Sequence, residues 1–328
     1  MKTAPLGRSG LSLPRIGLGG APLGREINEE ESWDILDYAT SNGITLIDTA
    51  ESYGGGNAQV YRKSQFGSDD VREVTDEMHS SEKTIGRWHQ KRQCRDRIQI
   101  CSKVSTGGTP ENIARALNAS LERLQTDILD IYMLHGEFFD VPIRETLEAL
   151  DQEVKSGRIR TLGCSNFSLE ALQEAQQAAT DHQLTRFEVI QPPFSLADAS
   201  ARDHLLPYCV RESIATTTYS PLAAGFLTGK YSSSDHAIPK GTRFDIIPGH
   251  SDVYFSEKNF QIVEKLRQLS DEREQTMVQL AMQWVFEQPG VSSILVGARK
   301  RSHLDNALEA LTSSLPPELK EEMDHWLD

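Results

Sequence analysis

The feature that most constrains the fold of this chain is a regular alternation of short apolar runs with longer segments of helical periodicity. Apolar runs typical of β-strands begin near residues 15, 44, 97, 128, 159, 187, 214 and 291. Nearly continuous apolar strands separated by amphipathic helices are typical of a parallel sheet. Because these units follow one another without a break in composition, they favour a closed α/β barrel, the (β/α)8 or TIM barrel, over an open doubly wound sheet.

Two short apolar pieces precede this alternation and indicate an N-terminal β-hairpin. They cover residues 3–7 and 11–14, and Arg8-Ser9-Gly10 between them has the composition of a tight turn. No linker divides the chain, so we expect a single barrel domain over residues 1–328. Helices are predicted over residues 29–41, 81–91, 109–124, 143–156, 169–180, 201–212, 256–271 and 276–287.

Two polar stretches interrupt the alternation. Residues 57–80 follow the second strand of the barrel, and residues 232–254 follow the seventh. Long loops inside a compact domain are usually lids, binding loops or disordered segments. Since loops that follow the strands of such a barrel lie at its C-terminal face, where active sites are built, both stretches are expected near the site.

The balance of charge excludes one class of function. The chain carries 48 acidic and 34 basic residues, for a net charge of −14. A nucleic-acid-binding protein would need a clustered basic face, so no nucleic-acid partner is expected. An anionic cofactor remains possible, because a few arginines and helix N-termini can bind phosphate on an acidic protein.

The cysteines and the hydropathy pattern point to a reducing compartment. Cys94, Cys101, Cys164 and Cys209 form neither a C-x-x-C motif nor a zinc-binding spacing, so we expect buried reduced thiols and no metal site. The first five residues lack the apolar core of a signal peptide, and no run of 18 apolar residues occurs. A cytoplasmic protein without membrane association is expected.

Polar residues with catalytic potential stand where four consecutive strands end. Asp48 and Tyr53 follow the second strand, Lys103 the third, His135 the fourth and Asn166 the fifth. Singly, each is more often a turn, capping or packing residue. Because the strands are parallel, these side chains meet at one rim, and their joint occurrence predicts an active site there.

The residue types in this group suit the protonation of a carbonyl oxygen. The pKa of a tyrosine is near 10, too high for a ready acid, and a nearby ammonium such as Lys103 lowers it. Asp48 would hold Lys103 charged and in place. His135 could hydrogen bond the substrate oxygen and orient it, as general-acid catalysis requires.

With these residues the chain resembles the aldo-keto reductase superfamily over nearly its whole length. The shared motifs are Asp-Thr-Ala-x-x-Tyr-Gly at 48–54, Ser-Lys at 102–103, Leu-His at 134–135, Gly-x-Ser-Asn-Phe at 163–167 and Tyr-Ser-Pro-Leu at 219–222. The resemblance implies an oxidoreductase that transfers hydride from a nicotinamide cofactor to an aldehyde or ketone. Its catalytic residues would be Tyr53, Asp48, Lys103 and His135, with Tyr53 as the proton donor.

The resemblance also implies a set of cofactor contacts. Arg299, at a helix N-terminus after the eighth strand, would bind the adenosine 2′-phosphate, which favours NADPH over NADH. Tyr219 would stack on the nicotinamide, and backbone N–H groups near residues 220–227 would follow the pyrophosphate. The implied contacts are Gly19, Gly20, Asp48, Ser165, Asn166, Gln191, Tyr219, Ser220, Pro221, Leu222, Gly225, Leu227, Lys230, Arg243, Gly297, Arg299, His303 and Asn306.

The chain departs from the family pattern at two places. The family usually has Gln, Glu and Asn where this sequence has His303, Asn306 and Ala307, so adenine recognition is expected to differ. The family also runs from Tyr-Gly-x-Gly directly into Ser-Glu, whereas residues 57–80 intervene here. We interpret this inserted segment as a lid or side wall that narrows the substrate pocket, the alternative being a tolerated surface insertion.

Two other functions are compatible with parts of the pattern. Some members of the superfamily are cofactor-binding accessory subunits of membrane channels, so a redox sensor with little turnover is one alternative. A lyase that uses Lys103 as a Schiff-base amine is the other, and it is disfavoured because adjacent Asp48 would raise the pKa of Lys103. The identity of the carbonyl substrate, and the choice between monomer and homo-oligomer, stay open at this stage.

Overall fold

The predicted hairpin and barrel are both confirmed by the computed structural model, which describes residues 1–67, 73–232, 237–246 and 249–327. The hairpin pairs β1 (Thr3–Pro5) with β2 (Ser12–Pro14) in antiparallel register. Parallel strands then close into a barrel in the order β10-β3-β4-β5-β6-β7-β8-β9. They are β3 (Ile16–Gly19), β4 (Leu46–Asp48), β5 (Gln99–Val104), β6 (Leu129–Leu134), β7 (Ile159–Ser165), β8 (Phe187–Gln191), β9 (Ala215–Thr218) and β10 (Ser293–Gly297).

Helices surround the barrel and connect its strands. The predicted segments are confirmed apart from their ends, and the helix expected from residue 201 begins at Leu205 because residues 201–204 form turns. The helices are α1 (Glu29–Ser41), α2 (Gly55–Phe66), α3 (Ser80–Arg92), α4 (Pro110–Leu124), α5 (Ile143–Lys155), α6 (Leu169–Asp181), α7 (Leu205–Glu212), α8 (Arg243–Ile246), α9 (Gly249–Tyr254), α10 (Glu257–Arg273), α11 (Met277–Phe286), α12 (Arg301–Ala310) and α13 (Pro317–His325).

The hairpin closes the amino-terminal end of the barrel. Its Leu6 and Leu13 are fully buried and pack in one cluster with residues that point into the barrel, including Ile131 and Leu295. The Gln99 side chain, at the start of β5, donates a hydrogen bond to the carbonyl of Ser12 at 2.9 Å. With this end closed by apolar side chains, the opposite, carboxyl-terminal end is left for a site.

Helix α1 shows how the local sequence sets the element boundaries. The side chain of Asn28 accepts a hydrogen bond from the backbone N–H of Glu31, and the Glu31 carboxylate accepts one from the N–H of Asn28. This capping box satisfies two N–H groups that have no partner inside the helix. It fixes where the chain turns after the loop that leaves β3, and that loop lines the cavity described below.

The two polar stretches contain more regular structure than their composition suggests. The first includes most of α2, and the second includes α8 and α9; residues 68–72, 233–236 and 247–248 lie outside the described part of the chain. In the second stretch Phe244 and Tyr254 both stack with Phe226, and Phe244 also stacks with Tyr231, with ring centroids 4.4 Å apart. This aromatic packing offsets the entropic cost of ordering a long loop.

Cys94, Cys101, Cys164 and Cys209 are all buried and unpaired, as predicted. Among the described residues, every helix is too short or too polar to cross a bilayer.

Candidate active site

The four predicted catalytic residues converge at the carboxyl-terminal end of the barrel. Asp48 is the last residue of β4, Lys103 lies near the end of β5, and His135 directly follows β6. Parallel register places Asp48 beside Cys101 and Lys103 beside Met133. Tyr53 reaches the same place from the loop after β4. The barrel therefore brings together residues that are up to 87 positions apart in the sequence.

Lys103 and Asp48 form a buried ion pair beneath Tyr53. The ammonium lies 2.7 Å from Oδ1 of Asp48 and donates to the backbone carbonyl of Thr49 at 2.7 Å. Neither side chain is more than 4% exposed. Burial lowers the pKa of Lys103, but the Asp48 carboxylate and other neighbouring groups outweigh it, so the pKa is raised overall. Lys103 is therefore a permanent cation rather than a nucleophilic amine, which argues against Schiff-base chemistry.

Tyr53 lies directly against this cation. The Lys103 ammonium is 5.0 Å from the centroid of its ring. Burial raises the pKa of Tyr53, and the positive charge of Lys103 opposes that rise without cancelling it. This differs from the expectation that Lys103 would lower the pKa below its ordinary value. The phenol consequently keeps its proton at neutral pH, with a cation placed to stabilise the phenolate that forms once the proton has left.

His135 is the neutral partner of Tyr53. Its Nε2 lies 3.5 Å from the Tyr53 hydroxyl, and its Nδ1 lies 2.7 Å from the hydroxyl of Ser105 and 3.3 Å from that of Ser52. Burial, followed by the nearby Lys103 charge, lowers the pKa of His135 to about 3. The imidazole is therefore uncharged across the physiological range, and one of its nitrogens carries a hydrogen.

A hydrogen-bonded frame behind these residues fixes their positions. Gln191, at the end of β8, donates to Oδ1 of Asp48 at 2.9 Å. Asn166 adopts a left-handed conformation after β7, donates to the carbonyl of His135 at 2.8 Å and accepts from the hydroxyl of Tyr219 at 2.8 Å. Ser165 is buried and donates to the carbonyl of Gln191 at 2.8 Å.

A cavity of about 830 Å³ opens beside this frame and runs toward the start of α12. Its volume suits a ligand the size of a dinucleotide. Tyr53 lines it at the end nearest Lys103 and Asp48. Most of the predicted cofactor residues also line it, namely Gly19, Asp48, Gln191, Tyr219, Ser220, Pro221, Leu222, Gly225, Lys230, Arg243, Gly297, Arg299, His303 and Asn306.

Four predicted cofactor residues are not among those that line the cavity. Ser165 is buried, and Asn166 is exposed beside the cavity, where it accepts a hydrogen bond from Tyr219 of the wall. Leu227 is fully buried in the core, beside Phe226. Gly20 packs so closely on β4 that a Cβ there would lie 2.5 Å from the carbonyl oxygen of Asp48, so tight backbone packing explains this glycine.

The cavity wall includes two adjacent charged residues, Arg25 and Glu26, that no sequence motif indicated. Arg25 and Glu26 lie in the loop between β3 and α1, and both line the cavity. Their signal was an adjacent pair of opposite charges in a loop at the C-terminal face, which is weak without knowing their partners. The other unpredicted residues of the wall are Ala21, Pro22, Pro193, Asp198, Ala224, Thr228, Val253, Tyr254, Val278, Met282, Leu295 and Val296.

The far end of the cavity is basic. Arg299 precedes α12, Lys300 is its N-cap, and Nδ1 of His303 accepts a hydrogen bond from the backbone N–H of Arg299 at 3.3 Å. Burial, with the charges of Arg299 and Lys300, lowers the pKa of His303. A helix N-terminus flanked by arginine and lysine is suited to an anionic group.

Comparison with known proteins points to one family over nearly the whole chain. Residues 15–328 match the sequence model of the Aldo/keto reductase family. Aldo-keto reductase YhdN of Bacillus subtilis (strain 168) is 30% identical over 330 residues, which cover 95% of this chain and 89% of that protein. The NADH-specific methylglyoxal reductase of Escherichia coli (strain K12) is 30% identical over 332 residues, 96% of this chain and 95% of that protein.

A relative with a different description is almost as similar. A probable voltage-gated potassium channel subunit beta of Arabidopsis thaliana is 29% identical over 328 residues, 95% of this chain and 91% of that protein. Because the family match spans nearly the whole chain, and the barrel carries a cavity of the required size at its carboxyl-terminal end, the chain belongs to the aldo/keto reductase family.

Proposed function

We propose that this protein is an NADPH-dependent carbonyl reductase that converts aldehydes or ketones to alcohols. The observation that carries the proposal is the position of Tyr53. Its phenol stands at the catalytic end of a dinucleotide-sized cavity, next to the buried ion pair of Lys103 and Asp48 and to neutral His135.

Reduction of a carbonyl requires one hydride at carbon and one proton at oxygen. A nicotinamide bound in the cavity would supply the hydride. Tyr53 donates its proton to the oxygen as negative charge builds there. The alcohol then leaves with the hydride hydrogen on carbon and the Tyr53 proton on oxygen. The Lys103 ammonium stabilises the resulting phenolate, since it already lies against the ring and cannot be neutralised by losing its own proton at physiological pH.

His135 orients the oxygen that receives the proton. The hydroxyls of Ser52 and Ser105 lie within hydrogen-bond distance of Nδ1 and of each other, so one of them can donate to Nδ1. Nε2 would then carry the hydrogen and point toward the Tyr53 hydroxyl, where a carbonyl oxygen could accept from both groups. A charged imidazolium would be repelled by the nearby Lys103 ammonium, so the lowered pKa of His135, which keeps the ring neutral, suits this role.

The preference for NADPH rests on the basic end of the cavity. Arg299 lines the cavity at the start of α12 and is suited to an adenosine 2′-phosphate. Its Nη1 contacts Glu26 at 3.5 Å, but a guanidinium has five N–H donors and this contact does not exhaust them. Because one relative is described as NADH-specific, both cofactors belong in the test.

The experiment is a steady-state assay with NADPH and NADH over a panel of aldehydes, ketones and sugars, with para-nitrobenzaldehyde as the reporter substrate. Wild-type protein should oxidise NADPH in the presence of an aldehyde. Tyr53→Phe should lower kcat by about 10²–10⁴-fold, the usual contribution of a general acid. Tyr208→Phe, in α7, removes a hydroxyl outside the cavity wall and should leave kcat unchanged. Equal rates for wild type and Tyr53→Phe would falsify the assignment.

A second candidate is a cofactor-binding accessory subunit with little turnover. It is favoured by the likeness to a protein described as a potassium channel subunit beta. The same assay separates the two functions. An accessory subunit would bind NADPH with quenching of tryptophan fluorescence and yet show no Tyr53-dependent turnover with any carbonyl in the panel.

A further inference from the structure

The inserted segment, residues 57–80, grips the loop between β3 and α1 through a buried carboxylate. The Glu73 side chain, only 1% exposed, accepts hydrogen bonds from Nε of Arg25 at 3.0 and 3.3 Å. On its other side it is paired with Arg62, a residue of α2 whose side chain is 3% exposed. One carboxylate of the insertion thus holds two guanidinium groups, and one of them belongs to the loop.

Main-chain contacts strengthen this grip. The backbone N–H of Val74 donates to the carbonyl of Arg25 at 2.9 Å, and the Ser80 hydroxyl donates to the carbonyl of Gly24. Gly24 has a φ of +61°, where a Cβ is strained and would also lie 2.7 Å from the Thr84 hydroxyl. The loop therefore turns sharply at Gly24 and presents Arg25 to the insertion.

The next residue, Glu26, points to the other side of the loop. Its carboxylate, 5% exposed, pairs with Arg243 and lies 3.5 Å from Nη1 of Arg299. Arg243 belongs to the stretch after β9, and Arg299 follows β10. Loops from three places in the barrel therefore meet at one carboxylate, and Arg25, Glu26, Arg243 and Arg299 all line the cavity.

The contacts of the insertion differ from those of a pocket wall. Of its described residues, 57–67 and 73–80, none is among those that line the cavity. They contact instead the loop that carries Arg25 and Glu26. The side wall stays a prediction, and the described contacts of the insertion reach the cavity wall through the loop that carries Arg25, while His79 also hydrogen bonds the carbonyl of Glu51 in the loop that carries Tyr53.

We propose that Glu73 is a positioning residue that slows release of the cofactor. It holds Arg25 in place, and this lets neighbouring Glu26 bind Arg243 and Arg299 across the cavity. This inference rests on the proposed function, because the retained ligand is the nicotinamide dinucleotide. With Glu73 in place, the three loops stay joined and a dinucleotide between them leaves slowly. Without it, buried Arg62 and partly buried Arg25 lose the carboxylate that joins them, the loop moves, and the tie made by Glu26 opens more often.

The test measures release of NADPH from the full-length protein by stopped-flow fluorescence, with an excess of unlabelled NADP⁺ as competitor. Glu73→Gln should raise the dissociation rate constant about tenfold, in the range typical of residues that couple two sites. The KM for the carbonyl substrate should stay within about twofold, because the insertion is not part of the cavity wall. Glu73→Asp, which keeps the charge, should restore slow release.

Glu77→Gln is the matched control. Glu77 lies in the same segment and pairs with Lys83 and Arg87, but its side chain is 35% exposed and these contacts lead away from the cavity. It should leave the dissociation rate constant unchanged. Thermal unfolding of each variant shows whether a loss of stability accompanies the effect.

A double-mutant cycle tests the route through Glu26. If Glu73 acts through Glu26, then Glu26→Gln should also accelerate release, and Glu26→Gln combined with Glu73→Gln should release no faster than the quicker single variant. Three outcomes would each overturn the proposal. The effects of the two variants on the dissociation rate constant could multiply, Glu73→Gln could leave that constant unchanged, or it could raise the substrate KM without changing release. A wild type that binds NADPH without turnover would refute only the proposed reductase function, whereas a wild type that binds no nicotinamide cofactor would refute both.

Discussion

The two ends of the cavity are built on different principles. At the catalytic end, Asp48, Lys103 and His135 sit on or beside barrel strands, and their positions follow from backbone register. At the far end, Glu26, Arg243 and Arg299 sit in loops and at a helix start, and their positions depend on ion pairs between distant segments. Under the proposed function, the rigid end would perform the proton transfer and the loop-built end would control how the cofactor is held.

The largest effect should come from breaking the rigid end at Lys103. Lys103→Met leaves the Asp48 carboxylate buried without its cation, so we expect a loss of about 3–5 kcal/mol in the free energy of unfolding. Tyr53 also loses the charge that stabilises its phenolate, and kcat should fall by about 10²–10⁴-fold. Urea unfolding and steady-state kinetics measure the two effects separately.

A double variant separates catalysis from stability at the same position. Lys103→Met with Asp48→Asn removes both charges and should recover much of the stability while kcat stays low. Lys155→Met is the control, because its pair with Asp151 involves a side chain that is 68% exposed, and it should change stability by less than about 1 kcal/mol. Recovery of kcat in the double variant would contradict the role given to Lys103.

The contrast between the two ends also explains what the sequence could predict. Asp48, Lys103 and His135 were located because apolar runs mark the strands, and residues at the ends of parallel strands meet at one rim. The pairing of Glu26 with Arg243 left no such trace, since it joins residues 217 positions apart through loops without periodicity. The helix α2 was missed for a related reason: it begins in a glycine-rich stretch, Gly54-Gly55-Gly56, whose composition suggests a loop.

At the rigid end, residue types predict the ion pair but not the net pKa shifts. The salt link between Lys103 and Asp48 was predicted from residue types alone. The net effect on Tyr53 was not, because the depth of burial that raises its pKa depends on the packed loops around it. Likewise, predicting the lowered pKa of His135 requires the distance to Lys103 and the extent of burial, and the motif Leu-His contains neither.

An effect of intermediate size on the free energy of unfolding is expected when the rigid end is exposed to acid. The pKa of His135 is about 3 in the folded protein, against about 6.5 in an unfolded chain. The unfolded state therefore binds a proton below about pH 6.5 that the folded state does not bind until about pH 3, so stability is lost as pH falls through this window. Between pH 7 and pH 5, His135 should account for a loss of about 1–2 kcal/mol.

The measurement compares urea unfolding at pH 7 and pH 5. Buried His89 and partly buried His303 have pKa values lowered mainly by desolvation and contribute in the same direction, so the informative quantity is the part of the pH dependence that disappears in His135→Gln. His182→Gln, at an exposed position after α6, should leave the full dependence. A pH dependence unchanged by His135→Gln would show that the imidazole is not buried in its neutral form.

The smallest effect is expected at the loop-built end, where a contact is exposed to solvent and to competing charges. Arg299→Ala should raise the KM for NADPH about tenfold, the value of one charge-assisted hydrogen bond, and should change the KM for NADH much less. Arg301→Ala, two positions further on, removes an arginine that pairs with Asp34 on the outer surface, and it should leave both values unchanged. If Arg299→Ala raised the KM for NADPH and for NADH equally, this arginine would contact the part of the molecule that both cofactors share. Glu26 would then hold Arg299 near the pyrophosphate, and the choice between the cofactors would have to be made by other residues of the cavity wall, with His303 and Asn306 the first to test.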